Sequence, residues 1–85
     1  MNLPANFSKG KSPRFEYGER LRWISAQPDT DWGIVIGRFY NYAPHHDNWM
    51  WCYLIWLDPH STSAAWCQVD TAWEEDLEVF DTPNA

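Results

Sequence analysis

Seven tryptophans fall within 85 residues, five of them between Trp32 and Trp66. A domain of this size closes around one modest core, and each indole brings roughly 150–250 Å² of surface that wants cover. The surplus rings must lean on one another or stand at the surface, where aromatic clusters mark contact sites. The chain is thereby constrained to a small binding module, and no motif in it specifies a reaction.

An apolar share of 45% excludes a wholly disordered chain. No apolar run approaches the ~18 residues of a membrane span. Residues 1–13 lack the apolar stretch of a secretory signal, so a cytoplasmic location is expected. Cys52 and Cys67 are too few for a disulfide framework and are read as buried free thiols, with a bridge between neighbouring strands as the alternative.

The net charge of −6 hides an asymmetry. Residues 1–14 carry Lys9, Lys11 and Arg14 and no acid, a balance of +3; the remainder sets Arg20, Arg22 and Arg38 against all twelve acids, a balance of −9. No Lys or Arg follows Asp58. Such a surface repels phosphate backbones and serves as a solubilising face or as a handle for a basic partner.

Pro4, Gly10 and Pro13, with only scattered apolar residues, make 1–14 a flexible basic arm. The folded unit is expected over 15–80, with 81–85 as a frayed tail. Within that unit the pattern is all-β. Leu21–Ile24 is a short strand, 25–31 a loop containing Pro28 and Asp29, and Trp32–Tyr42 a long strand rich in β-branched and aromatic residues. Gly33 and Gly37, four apart on one face, predict a bulge or bend where another strand packs closely. After a reversal at 43–48, Trp49–Leu57 is apolar on both parities: Trp49, Trp51, Tyr53, Ile55 and Leu57 on one, Met50, Cys52, Leu54 and Trp56 on the other. A second element or a partner must cover the outer side. A fourth strand is expected over 65–70 and one helical turn over 73–77, with Thr71 as cap and Glu74 three residues on. A closing strand at 78–80 completes a five-stranded, strongly bent barrel.

The succession Gly18-Glu19-Arg20-Leu21-Arg22-Trp23, Trp32-Gly33-Ile34-Val35-Ile36-Gly37, Tyr53-Leu54-Ile55-Trp56-Leu57-Asp58 and Trp73-Glu74-Glu75-Asp76-Leu77-Glu78 resembles an SH3-like barrel over residues 15–80. Within that class it is similar to small cyanobacterial proteins and, more distantly, to the ferredoxin-docking subunit S of the photosynthetic NAD(P)H-dehydrogenase-like complex. The aromatic stretch 40–51 departs from that pattern. The resemblance implies a single barrel with one short helical turn before the last strand, and a rim on which the first loop and the long hairpin converge. Fold alone transfers no function.

Site by site, little chemistry emerges. His45 and His46, adjacent in a loop, are expected to point apart, so one metal would need ligands from elsewhere. No zinc spacing is present, and no metal site or cofactor is assigned. Cys52 beside a histidine lacks a third group and an oxyanion hole, and Glu74-Glu75-Asp76 suits the start of a helical turn. No catalytic residue is assigned. The aromatic set Trp32, Tyr40, Tyr42, Trp49 and Trp51 is the expected partner-binding surface, a groove for a proline-rich peptide or a cage for a cationic side chain.

The expected function is therefore non-enzymatic: an adaptor or accessory subunit docking a protein partner, a larger complex or a second copy through its aromatic hairpin. The alternative is a nucleic-acid-associated module using Lys9, Lys11, Arg14, Arg20 and Arg22 on phosphates, with aromatic stacking on unpaired bases.

Overall fold

A computed structural model describes residues 2–7, 10–27 and 30–81. Five strands, β1 (Arg20–Trp23), β2 (Trp32–Ala43), β3 (Asn48–Leu57), β4 (Val69–Trp73) and β5 (Leu77–Val79), form one antiparallel sheet in the order β4-β3-β2-β1-β5. Two 3-10 turns, Thr62–Ala65 and Glu74–Asp76, are the helical pieces among the described residues. No helix among them is long and apolar enough to cross a membrane.

The expected barrel is corrected to an open sheet, since its edge strands β4 and β5 do not hydrogen-bond to one another. Val69–Trp73 and Leu77–Val79 run in succession through a 3-10 turn instead of reversing into a hairpin, so neither strand lies along the other. The two edges are successive stretches of chain joined only by Glu74–Asp76, which carries the backbone from one edge to the other. Ile24 N–H donates to the Asp76 carbonyl across that crossing (2.8 Å).

The fourth strand lies later than its expected 65–70, because Ser63, Ala64 and Ala65 are drawn into a 3-10 turn. Asp31 holds them there: Oδ1 accepts from the Ser61 hydroxyl (2.6 Å) and Ser63 N–H (2.8 Å), and Oδ2 accepts from the Ser63 hydroxyl (2.8 Å). Burial opposes ionisation of Asp31, but those donors outweigh it and hold its carboxyl below the ordinary value. Thr71 sits inside β4 rather than capping the turn, whose N-cap position is Trp73 with no side-chain cap.

Pairing Val35 with Ile55 and Gly37 with Leu54 leaves Ile36 as an extra residue, the expected bulge. It also reverses one expectation. Gly33 opposes Leu57 and Gly37 opposes Leu54, so the two glycines lie on opposite faces. At Gly33 a Cβ would stand 2.1 Å from the Trp56 carbonyl oxygen, so the strands meet there as only glycine permits. Gly18 supplies a left-handed turn (φ 84°) before β1.

The inner face buries Phe15, Leu21, Val35, Tyr53, Ile55, Leu57, Ala72 and Leu77, with Trp23, Trp51 and Cys67 packed against them. Cys52 is buried, Cys67 half-buried, and both are free thiols. Burial pushes the Cys52 thiol up, against the opposing effect of a hydrogen bond from Asn41.

Candidate functional site

Beyond Ile34 strand β2 has no β1 partner, and before Cys52 strand β3 has no β4 partner, so the β2–β3 hairpin runs on past the sheet. Its register pairs Tyr40 with Trp51 and Tyr42 with Trp49. Alternation then sets all four rings on the inner side. Tyr40 lies 5.3 Å from Trp51 and 6.0 Å from Trp49, and Tyr42 lies 5.7 Å from Trp49, between ring centroids. Trp32, the fifth member of the expected set, stands at the other end of β2. There it packs edge-on to Phe80 (5.1 Å) with the Arg20 guanidinium over its ring (5.6 Å). No single aromatic rim unites the five.

The N-terminal segment fills the cradle that the other four make. Phe7 packs edge-on to Tyr40 (5.8 Å) and Trp49 (5.1 Å), and the Trp51 indole N–H donates to the Lys11 carbonyl (2.6 Å). Gly10 lies so close that a Cβ would stand 2.7 Å from the Tyr40 ring. Further along, Arg14 N–H and Phe15 N–H donate to the Tyr53 hydroxyl (3.0 and 3.2 Å), which donates to Glu74 Oε2 (2.5 Å). Glu74 also accepts from Arg14 N–H (2.9 Å). Replacing Phe7 with alanine removes the ring that joins arm to hairpin. Tryptic cleavage after Lys11 should then accelerate severalfold while the sheet's unfolding midpoint moves little; equal cleavage of both chains would show that the ring does not hold the arm.

Among the described residues, two of the arginines are tied to carboxylates. Arg22 pairs with Glu78 (2.6 Å), and Arg38 pairs with Glu16 (3.1 Å) while donating to the Phe15 carbonyl (2.9 Å). Lys11 lines an open cavity with Glu74 and Glu75. Lys9 of the expected basic arm lies outside the described residues.

Two further groupings stand out, of which sequence reasoning foresaw only the β3 part of the first. The first is the outer side of the same hairpin, where Ile34, Ile36, Phe39 and Trp56 are 39, 40, 43 and 46% exposed. Ile34 pairs directly with Trp56 across the strands, and Leu54 is half-buried on the same side. No element among those described covers them. The double-sided apolar pattern of β3 was the available signal.

The second grouping is at the hairpin turn. His45 and His46 do not point apart. The backbone there is a turn, with His46 N–H donating to the Ala43 carbonyl (3.1 Å), so strand alternation does not apply. Their ring centroids lie 4.5 Å apart, and His45 Nε2 and His46 Nε2 stand 3.0 and 2.8 Å from Glu75 Oε1. Hydrogen bonds from His45 and then His46 hold the Glu75 carboxyl below its ordinary value. The turn is further closed by the Tyr42 hydroxyl donating to Asp47, which has left-handed backbone (φ 47°). Glu75 is 29 to 30 residues from the histidines, a separation no local motif reveals.

Set against protein-family models, curated proteins and solved structures, the chain matches none.

Proposed function

We infer that this chain is a non-enzymatic protein-interaction module that docks on a protein partner through the outer face of the β2–β3 hairpin. The observation that carries this reading is the adjacent placement of Ile34, Ile36, Phe39 and Trp56 on a solvent face of the sheet. Four large apolar side chains held rigidly on paired strands lose little conformational freedom on binding, which favours a docking surface. The aromatic cradle, the surface expected from sequence, serves the chain's own N-terminal segment. An SH3-like classification accords with this reading: a long β2–β3 hairpin and a short 3-10 turn before the last strand are the features that support it. Of the cations the nucleic-acid alternative would use, Arg22 is paired with Glu78, which leaves that alternative less to work with.

The test replaces Ile36 and Trp56 with aspartate and uses the tagged full chain to capture partners from its native lysate at high salt. Wild type should retain a defined protein assembly that both variants lose, with unfolding midpoints within a few degrees of wild type. Undiminished capture by the variants would overturn the proposed surface. Loss of capture by wild type at high salt, with nucleic acid recovered at low salt, would move the function to the basic segment.

A further inference from the structure

We propose that His45, His46 and Glu75 form a binding site for a divalent late first-row transition ion, with zinc as its reference occupant. The ligand set is two imidazoles and one carboxylate, a combination suited to zinc, nickel and copper rather than to magnesium or calcium. One donor atom from each residue lies within 4.8 Å of the others. A tetrahedral ion with bonds of ~2.1 Å places its donors about 3.4 Å apart. The His45 and His46 contacts to Glu75, at 3.0 and 2.8 Å, need only small side-chain rotations to open to that spacing. All three residues are exposed, so an ion can enter and water can complete its coordination.

The site is built by two different parts of the fold. The turn between β2 and β3 brings the histidines, and the 3-10 turn Glu74–Asp76 brings the carboxylate to the edge of β3 where β4 has ended. His45 is steadied from a third side by Trp73, whose ring lies edge-on at 5.2 Å. The unfolded chain keeps the two histidines adjacent but loses Glu75, so an ion held by all three binds the folded form more tightly and stabilises it. Bound there, it would staple the hairpin turn to the segment that joins β4 to β5. This inference does not depend on the docking face, which lies on other residues.

The experiment titrates the full chain with zinc chloride near neutral pH, by calorimetry and by the shift of the thermal midpoint. Wild type should bind one zinc ion per chain and unfold at a higher temperature with it. Glu75→Gln and His46→Ala should each weaken zinc binding at least about tenfold and lose the thermal shift. His60→Ala and Cys67→Ser, which alter the other accessible histidine and the half-buried thiol, should bind as wild type does. The proposal is overturned if wild type shows no saturable one-to-one binding, if Glu75→Gln binds zinc as tightly as wild type, or if His60→Ala or Cys67→Ser abolishes binding. Circular dichroism of each zinc-free variant separates a lost ligand from a lost fold. A variant that has unfolded is replaced in the comparison by His45→Gln, for which the same tenfold loss is expected.

Discussion

Among the four glycines, Gly33 is the one where an added methyl should do the most damage, as Gly33→Ala. The new Cβ would stand 2.1 Å from the Trp56 carbonyl oxygen, 2.8 Å from its carbonyl carbon and 2.9 Å from Ile55 Cγ2. Two of those atoms are backbone, so no rotamer change relieves the contact. Relief requires β2 and β3 to separate at the point where Gly33 also pairs with Leu21 of β1. Overpacking typically costs about 1–3 kcal/mol, and a backbone collision belongs at or beyond the upper end. A domain of this length has roughly 4–13 kcal/mol of stability in total, so a large fraction is at stake. Gly37→Ala is the internal control. Its Cβ would meet only the Leu54 side chain, at 3.2 Å, which a small shift accommodates. Urea unfolding of the two variants should separate them by about 2 kcal/mol or more. Equal midpoints would mean that the strands do not approach so closely at Gly33.

The second large effect is expected at Tyr53, which is fully buried. Its hydroxyl accepts from the backbone N–H groups of Arg14 and Phe15 and donates to Glu74. Tyr53→Phe keeps the ring and removes the oxygen. Phe15 N–H then loses its acceptor beside the core, while Arg14 N–H retains Glu74. Leaving a buried donor unsatisfied costs about 1–3 kcal/mol. The substitution also has a signature in alkali. Burial, followed by the hydrogen bond to Glu74, raises the Tyr53 pKa from 10.0 to about 12. Between those values the unfolded chain releases the phenolic proton and the folded chain keeps it, so the unfolded state binds fewer protons and stability falls as pH rises. Tyr53→Phe has no such proton to lose. The stability gap between wild type and variant should therefore narrow from pH 10 to pH 12, and a gap that stays constant would show that the hydroxyl titrates alike in both states.

How much of this was legible in the residues depends on how local each feature is. The β-branched and aromatic richness of Trp32–Tyr42 and the apolar run Trp49–Leu57 made the long hairpin readable, and the apolar second parity of β3 announced an outer face in need of cover. The bulge was announced by Gly33 and Gly37, but its consequence was not. A single inserted residue at Ile36 exchanges the faces of everything after it, and only the pairing with Leu54 fixes where the insertion falls. The position of β4 was missed because the Asp31 carboxylate, 30 to 32 residues away, captures Ser61 and Ser63 and moves the strand's start to Val69. The aromatic site was half-readable for a similar reason. Register brings Tyr40, Tyr42, Trp49 and Trp51 together, but that Phe7 would occupy the cradle lies in contacts spanning more than 30 residues of chain. The meeting of His45 and His46 with Glu75 has the same character.

The placement of β4 and β5 on opposite edges of the sheet has a consequence for the order in which the molecule assembles. The β2–β3 hairpin closes a loop of only a few residues and can form as soon as it is made. Strand β1 can pair with β2 as soon as β2 is made, but its other edge must wait for β5, because Arg22 meets Glu78 across 56 residues of chain. Until Leu77–Val79 arrives, Trp23 lacks Leu77 opposite it and Ile24 N–H has no Asp76 carbonyl to reach. Closure of that long loop is an entropic toll met late, and topologies of this kind fold slowly for their size. During the delay the finished hairpin already presents Ile34, Ile36, Phe39 and Trp56 to its surroundings, so a nascent chain offers its most adhesive surface before its sheet is complete.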